Sequence, residues 1–395
     1  MPSHVAKSLV VFATILAGTG SARAQQNAPK AQVPIAKPSI LQNPETEAAI
    51  AQLGSASPQV RAKARKTILD LGKPGLDSLR RAIAAADDIS PEQLFVLAED
   101  IGRERRNVQF AQTWELAEKS WRVAWRPDGQ RLGLLQEYGG TVTMLDADLK
   151  QTGDSFGGDA AKFAFDPTDQ TFAYNNGDGV MLIADRKTGR LVRLAVTGKP
   201  SLAYSPDGRH LATGGYSNDV EMWQVADGTR VSTFSVDGIK GALSPLFSPN
   251  GKLLVIGNRN DTTHIFDVDS GKLLQVLERK SSQQLVFSPD GSRLAIAYVD
   301  GKIGIWNPTN GTLEKLLDSD AEEVFTLAWS PDGTLLVSAG LAGPIVVWSG
   351  RHLAKLHTLE PGSVRTFRLA FRPDGKLLVA AGNKTTRAWS IESER

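Results

Sequence analysis

Residues 287–307 read FSPDGSRLAIAYVDGKIGIWN, and the form of this stretch recurs through most of the chain. An aromatic residue, Phe287, precedes Ser288-Pro289-Asp290-Gly291. Proline presets φ for a tight turn, aspartate bonds back to its own backbone, and glycine accepts a positive φ. Short apolar runs flank the turn, LVF before it and RLAIA after it, which is the pattern of a hairpin. A third run, KIGIW, ends on Trp306, and Asn310-Gly311 then turns the chain into a fourth, LEKLL.

The same marker stands at Trp125-Arg126-Pro127-Asp128-Gly129, Phe165-Asp166-Pro167-Thr168-Asp169 and Tyr204-Ser205-Pro206-Asp207-Gly208. It returns at Phe247-Ser248-Pro249-Asn250-Gly251, Trp329-Ser330-Pro331-Asp332-Gly333 and Phe371-Arg372-Pro373-Asp374-Gly375. Four strands repeated about every 40 residues predict the blade of a propeller. Seven markers predict seven blades. The seventh repeat stops at Trp389-Ser390, after its third strand. Residues 107–117 (NVQFAQTWELA) can supply the missing outer strand, closing the ring and removing two open edges. The expected fold class is all-β, a seven-bladed propeller over residues 107–395, preceded by a small α-helical segment.

The period, the aromatic-Ser-Pro-Asp-Gly turn and the late tryptophan of the third strand resemble the WD40-repeat family. The departures are clear. The Trp-Asp pair is altered throughout, as Leu145-Asp146, Ala184-Asp185, Trp223-Gln224, Phe266-Asp267, Trp306-Asn307, Trp348-Ser349 and Trp389-Ser390. No repeat carries the Gly-His pair. The family's buried Asp-His-Ser/Thr-Trp network therefore cannot be intact, although Asp219, Asp261 and Asp300 keep its aspartate. Blades held more by packing than by that network are expected, in a divergent, exported bacterial branch. The SPDG spelling is also similar to TolB-like periplasmic propellers, which the third-strand tryptophan and the helical N-terminus fit less well.

Upstream of the repeats the character of the chain changes twice. Residues 1–24 combine Lys7, the apolar run Leu9 to Leu16 and the small-x-small site Ala22-Arg23-Ala24, the features of a secretory signal peptide cut after Ala24. The apolar run is shorter than the roughly 20 residues a bilayer crossing needs. A periplasmic or secreted protein with no membrane span in the mature chain is expected. Residues 25–42, rich in Gln, Ala, Pro and Lys, read as a disordered linker. Residues 43–106 carry helical signals: Asn43-Pro44, Ser57-Pro58 and Ser90-Pro91 as helix starts, and apolar residues at helical spacing through Val60, Ala64, Ile68 and Leu71. SPQVRAKARKTILDLGKPGLDSLRRAI resembles a single HEAT-like helical pair.

Composition narrows the function classes. The formal net charge is +2, and the two excess positive charges, Lys7 and Arg23, lie in the leader. That balance gives no clustered basic footprint for nucleic acid. The sequence has 0 cysteines, which excludes disulfides, thiolate metal sites and thiol nucleophiles. His210, His264, His352 and His357 occupy different blade positions with no metal-ligand spacing, and no GxSxG elbow, HExxH pair or phosphate-cradling loop occurs. No catalytic residue, cofactor or metal is expected.

What remains is a rigid disc whose loops carry recognition. In the family it resembles, partners meet the face made by the loops before the first strand and between the second and third strands. The candidate partner-binding residues there are Trp121, Tyr138, Tyr174, Asn175, Tyr216, Asn258, Arg259, Tyr298 and Arg365, types common both in turns and in binding hot spots. The acidic loop of Asp318, Asp320, Glu322 and Glu323 reads either as a bias toward a basic partner or as a solvated turn. The leading expectation is an exported, monomeric, non-enzymatic scaffold for a protein or peptide. Two alternatives stay open. One is a lactonase- or hydrolase-like enzyme or small-ligand binder at the central channel, to be recognised by acids or histidines gathered there. The other is a TolB-like envelope component.

Overall fold

The computed structural model describes residues 44–53, scattered positions between 60 and 96, and 107–393 apart from 118, 137–139, 161, 176–179, 197–200, 216–218, 237–242, 259–261, 280–283 and 364. The chain divides into two compact units, residues 1–78 and 79–395. In the first, a helix spans Pro44–Gln52, where Asn43-Pro44 is a helix start in the sequence. The expected leader and linker and most of the remaining helical segment lie outside the described residues. Among the described residues no helix is long and apolar enough to cross a membrane.

The second unit is a seven-bladed β-propeller built from seven four-stranded antiparallel sheets. Six blades take four consecutive strands each; blade one, for example, is Arg122–Trp125, Arg131–Leu135, Gly140–Asp146 and Gln151–Ala160. Blade seven is composite. Its own strands are Thr366–Phe371, Leu377–Gly382 and Thr386–Ser393, and Val108–Leu116 pairs antiparallel along the last of them, from Val108 opposite Ser393 to Leu116 opposite Thr386. The first strands of the other blades, two to six, are Phe163–Phe165, Ser201–Tyr204, Leu243–Phe247, Leu285–Phe287 and Glu323–Trp329.

The turn markers fold as their chemistry dictates. In each, the third residue after the one preceding proline donates its N–H back to that residue's carbonyl, as Gly291 does to Ser288 at 2.8 Å and Gly333 to Ser330 at 2.9 Å. The serine hydroxyl donates to the turn aspartate (Ser288 to Asp290, 2.5 Å), and the aspartate accepts the N–H two residues on (Ser292, 3.0 Å). Blade two replaces the glycine by Asp169, a non-glycine residue at φ 60°. Arg126 grips its carboxylate with two hydrogen bonds, 3.0 and 2.6 Å, and Arg186 adds an ion pair. Burial disfavours the charge on Asp169, but these bonds outweigh it and hold the carboxyl below its ordinary value.

Strand alternation builds the core between blades. Ala212, Val220, Met222 and Phe234 of blade three pack on Leu243, Leu254, Ile256 and Phe266 of blade four. Each of the larger of these side chains removed from water contributes roughly 1.5–3 kcal/mol. A polar link joins that packing, which the sequence had suggested would dominate. Trp223 donates its indole N–H to Thr213 (2.8 Å), Trp348 to Ser338 (2.9 Å) and Trp306 to the Tyr298 hydroxyl (2.7 Å). The tryptophan end of the family network, with its serine or threonine acceptor, thus survives in two blades without its histidine, and Tyr298 stands in as the acceptor in a third. Asp219 and Asp300 serve elsewhere, accepting from Ser235 and Arg279.

Candidate binding face and central channel

Alignment on the turn proline exposes what the propeller presents at its axis and on one face. The sixth residue before the proline opens the first strand on the face with the long loops. In blades six, seven and one it is aromatic: Phe325, Phe367 and Trp121. The Trp121 and Phe367 rings stack at 4.6 Å and 17° across the seam between blades one and seven. Lys119 lies 4.3 Å over the Trp121 ring, and the Arg365 guanidinium lies 4.9 Å from the centroid of Phe325. Arg365 is exposed, while its backbone is fixed by two hydrogen bonds to Asn383. Cations over ring faces, with apolar area beside them, form a rigid amphipathic patch of the kind that anchors partners.

The nine candidate face residues separate into three groups. Trp121 and Arg365 belong to this patch. Tyr138, Tyr216 and Arg259 lie outside the described residues. The other four are spent on the fold. Asn175 and Asn258 are buried, at 0% and 2% exposure, and Tyr298 at 1%. The Asn175 carboxamide accepts the Lys162 N–H at 2.7 Å. Tyr298 accepts from Trp306, lies under Arg279, and has its phenol pushed up to about 12 by burial. Tyr174 is packed against Phe172 and Phe156. These three buried residues cannot touch a partner. Lys119 and Phe367, which the candidate loop positions did not include, take their place, while Phe325, at 9% exposure, is buried beneath Arg365. The acidic loop is partly neutralised, since Lys302 pairs with Asp318 at 3.9 Å and Lys355 pairs with Asp320.

One residue further along each first strand, the position five before the proline faces the axis. Around the ring from blade one it is Arg122, Lys162, Ser201, Ser244, Gln284, Thr326 and Arg368. Arg122, Gln284 and Arg368, from three different blades, line a single cavity of about 300 Å³ with Ala124, Ala164 and the inner edges of Trp125, Phe163 and Phe165. The ring is stitched by hydrogen bonds between neighbouring blades. Lys162 donates to Ser201 (2.6 Å), and the Ser201 and Ser244 hydroxyls share a bond of 3.3 Å. Gln284 accepts from the Leu327 N–H (3.4 Å) and Thr326 from the Leu369 N–H (3.1 Å). Neither an acid nor a histidine occupies any of the seven positions. Among the described residues no group of three or more His, Cys, Asp or Glu is placed to hold a metal ion.

A family model described as "WD domain, G-beta repeat" matches residues 197–224, within blade three, and one described as "Eukaryotic translation initiation factor eIF2A" matches residues 246–346, across blades four to six. Similar curated proteins include WD repeat-containing protein SL1-17 of Schistosoma mansoni, 27% identical over 216 residues, which is 53% of this chain and 64% of that protein. WD repeat-containing protein VIP3 of Arabidopsis thaliana is 31% identical over 201 residues, 44% of this chain and 62% of that protein. Small ribosomal subunit protein RACK1z of Oryza sativa subsp. japonica is 33% identical over 115 residues, 27% of this chain and 34% of that protein. The chain thus matches less than two thirds of the length of each. The WD40 repeat family is supported by these matches; their organisms are eukaryotes, so they carry neither a bacterial origin nor a HEAT-like N-terminus.

Proposed function

We propose that this chain is an exported, monomeric, non-enzymatic binding propeller that recognises a protein or peptide on the long-loop face over blades six, seven and one. The observation that carries this reading is the patch of Trp121 stacked on Phe367 with Lys119 and Arg365 laid over neighbouring rings. Rigid aromatics at a blade seam offer contact area at little entropic cost, and the two cations favour a partner segment with acidic as well as apolar side chains. The WD-repeat relatives point the same way, since propellers of that kind bind protein partners. Export rests on the leader features of residues 1–24.

The test is affinity capture with the processed chain, isolated from outside the cytoplasm, where its N-terminus should read Gln25-Gln26-Asn27. The double variant Trp121→Ala/Arg365→Ala should lose captured partners that the wild type retains. Arg209→Ala, an exposed change on the short-turn face, should keep them. Capture unchanged by the double variant would show that the binding surface lies elsewhere.

A further inference from the structure

The ring around the axis is chemically lopsided. Over blades three to six its members are the neutral Ser201, Ser244, Gln284 and Thr326; Ser201 bonds to Ser244, and Gln284 and Thr326 each accept a backbone N–H of the next blade. Over blades seven, one and two they are Arg368, Arg122 and Lys162, three consecutive cations at equivalent positions of adjacent first strands. Four seams carry a hydrogen bond at this ring, those between blades two and three, three and four, five and six, and six and seven, whereas the seams between blades seven, one and two bring like charges together. Burial is the main force holding the Lys162 ammonium down, to about 7, and the charges of Arg122 and Arg368 press it further toward its neutral form. Burial likewise lowers Arg368 from the ordinary arginine value. Converging, partly desolvated cations are unfavourable on their own, and an anion among them reverses the sign of the interaction.

The space for such an anion is present. The cavity of about 300 Å³ has Arg122, Arg368 and Gln284 on its wall and no acid among its lining residues. Its remaining walls are small or aromatic, Ala124, Ala164 and Phe163 among them. Guanidinium groups present paired N–H donors that match two oxygens of one anion, whereas an ammonium supplies a compact charge. Concave, largely apolar sites with a few convergent polar groups are the usual form of small-ligand sites.

We propose that the central channel is a binding site for a small molecule bearing an oxyanion, a phosphate or a carboxylate, held by Arg122 and Arg368 with Gln284 as a neutral partner and drawn also by the charge of Lys162, which is bonded to Ser201. The site is independent of the partner face. It uses none of Lys119, Trp121, Phe367 or Arg365, and it sits one ring deeper. Because Lys162 faces Arg122 of blade one, Arg368 of blade seven and Ser201 of blade three, an anion that bridges these blades also favours the charged form of Lys162. Binding therefore weakens as pH rises above neutrality.

The experiment is titration calorimetry of the full chain at about pH 6.5, where Lys162 is charged. Inorganic phosphate is one titrant and malonate the other, with chloride holding ionic strength constant. Saturable binding of one anion per chain is expected. Arg368→Met and Lys162→Met should each raise Kd about tenfold or more, the scale of one lost charge-assisted hydrogen bond. Arg209→Ala should leave Kd unchanged, excluding a diffuse surface effect. In anion-free buffer Arg368→Met should melt no lower than the wild type, since it removes one of three like charges, and this shows that the variant is folded. Tighter phosphate assigns the site to phosphate-bearing ligands, and tighter malonate to carboxylates. No saturable heat from either below about 10 mM, or an affinity unchanged from the wild type in both methionine variants, overturns the proposal.

Discussion

Tyr298 shows how one side chain can read as surface and serve as core. Its hydroxyl is the acceptor for the Trp306 indole at 2.7 Å, and both rings are buried in the packing of blades four and five. Tyr298→Phe keeps the ring and removes the acceptor. A buried indole N–H without a partner costs about 1–3 kcal/mol, so urea unfolding should show a loss of that order. Trp306→Phe in the same background should cost much less than it does in the wild type, because the bond is already gone. The sequence held the signal that Tyr298 faces inward. It lies two residues after buried Ile296, as Asn175 lies two after buried Ala173 and Asn258 two after buried Ile256. Strand alternation carries all three inward, beyond the point where residue type alone suggests a turn. The residues that do form the face patch are also legible, once the repeats are aligned on their prolines. Trp121, Phe325 and Phe367 then fall at one position, and Arg122, Lys162 and Arg368 at the next. Their stacking and their mutual charge are not legible, because both depend on how adjacent blades meet.

The strands and turns were legible almost entirely, because each marker encodes its own geometry. Pro-Asp-Gly fixes a turn whose length admits one register, and the flanking alternation fixes which side packs. The composite blade was legible by subtraction: three strands at the C-terminal end and a lone strand-forming stretch before the first repeat. Its energetic weight is carried by few groups. Phe110 packs into the cluster of blades six and seven, meets His357 edge-on at 5.6 Å, and pairs with Ile391 across the closing ladder. Its neighbour Ala111 is exposed on the same strand. Phe110→Asp should therefore lower stability by about 2 kcal/mol or more, while Ala111→Asp stays near the wild type. Release of the strand also bares the edge of Thr386–Ser393, an open pairing template. Light scattering on warming should rise earlier for Phe110→Asp than for Ala111→Asp. Equal onset in the two variants would mean that closure does not guard the ring.

For the molecule as a whole, the cationic half-ring sets a dependence of stability on pH that opposes the common pattern of paired charges. Burial and its cationic neighbours hold Lys162 down to about 7 in the folded chain, against the ordinary lysine value of 10.5 when unfolded. Between these values the unfolded chain binds the extra proton, so stability rises with pH across that window, by up to about 1.4 kcal/mol per pH unit at its steepest. Below about pH 7 both states hold the proton, and the cost of the buried charge is present in full. The rise ends where the buried tyrosines begin to matter. Tyr298 is pushed up to about 12 and Tyr204 higher still, both chiefly by burial. Their folded forms keep protons that the unfolded chain releases above its ordinary tyrosine value of 10.0, and stability then falls. Denaturant midpoints measured in anion-free buffer should therefore climb from neutral pH to a maximum between about 9 and 10. Lys162→Met should flatten the climb and leave the alkaline fall in place. A wild-type profile flat from pH 7 to 9 would show that Lys162 keeps an ordinary ammonium, too well solvated for burial or its cationic neighbours to act on it. If the climb is present, phosphate or malonate should raise the neutral side more than the alkaline side. The anion pairs with the charge that the ring holds at a cost, and stability and anion binding at the channel become two readings of one proton.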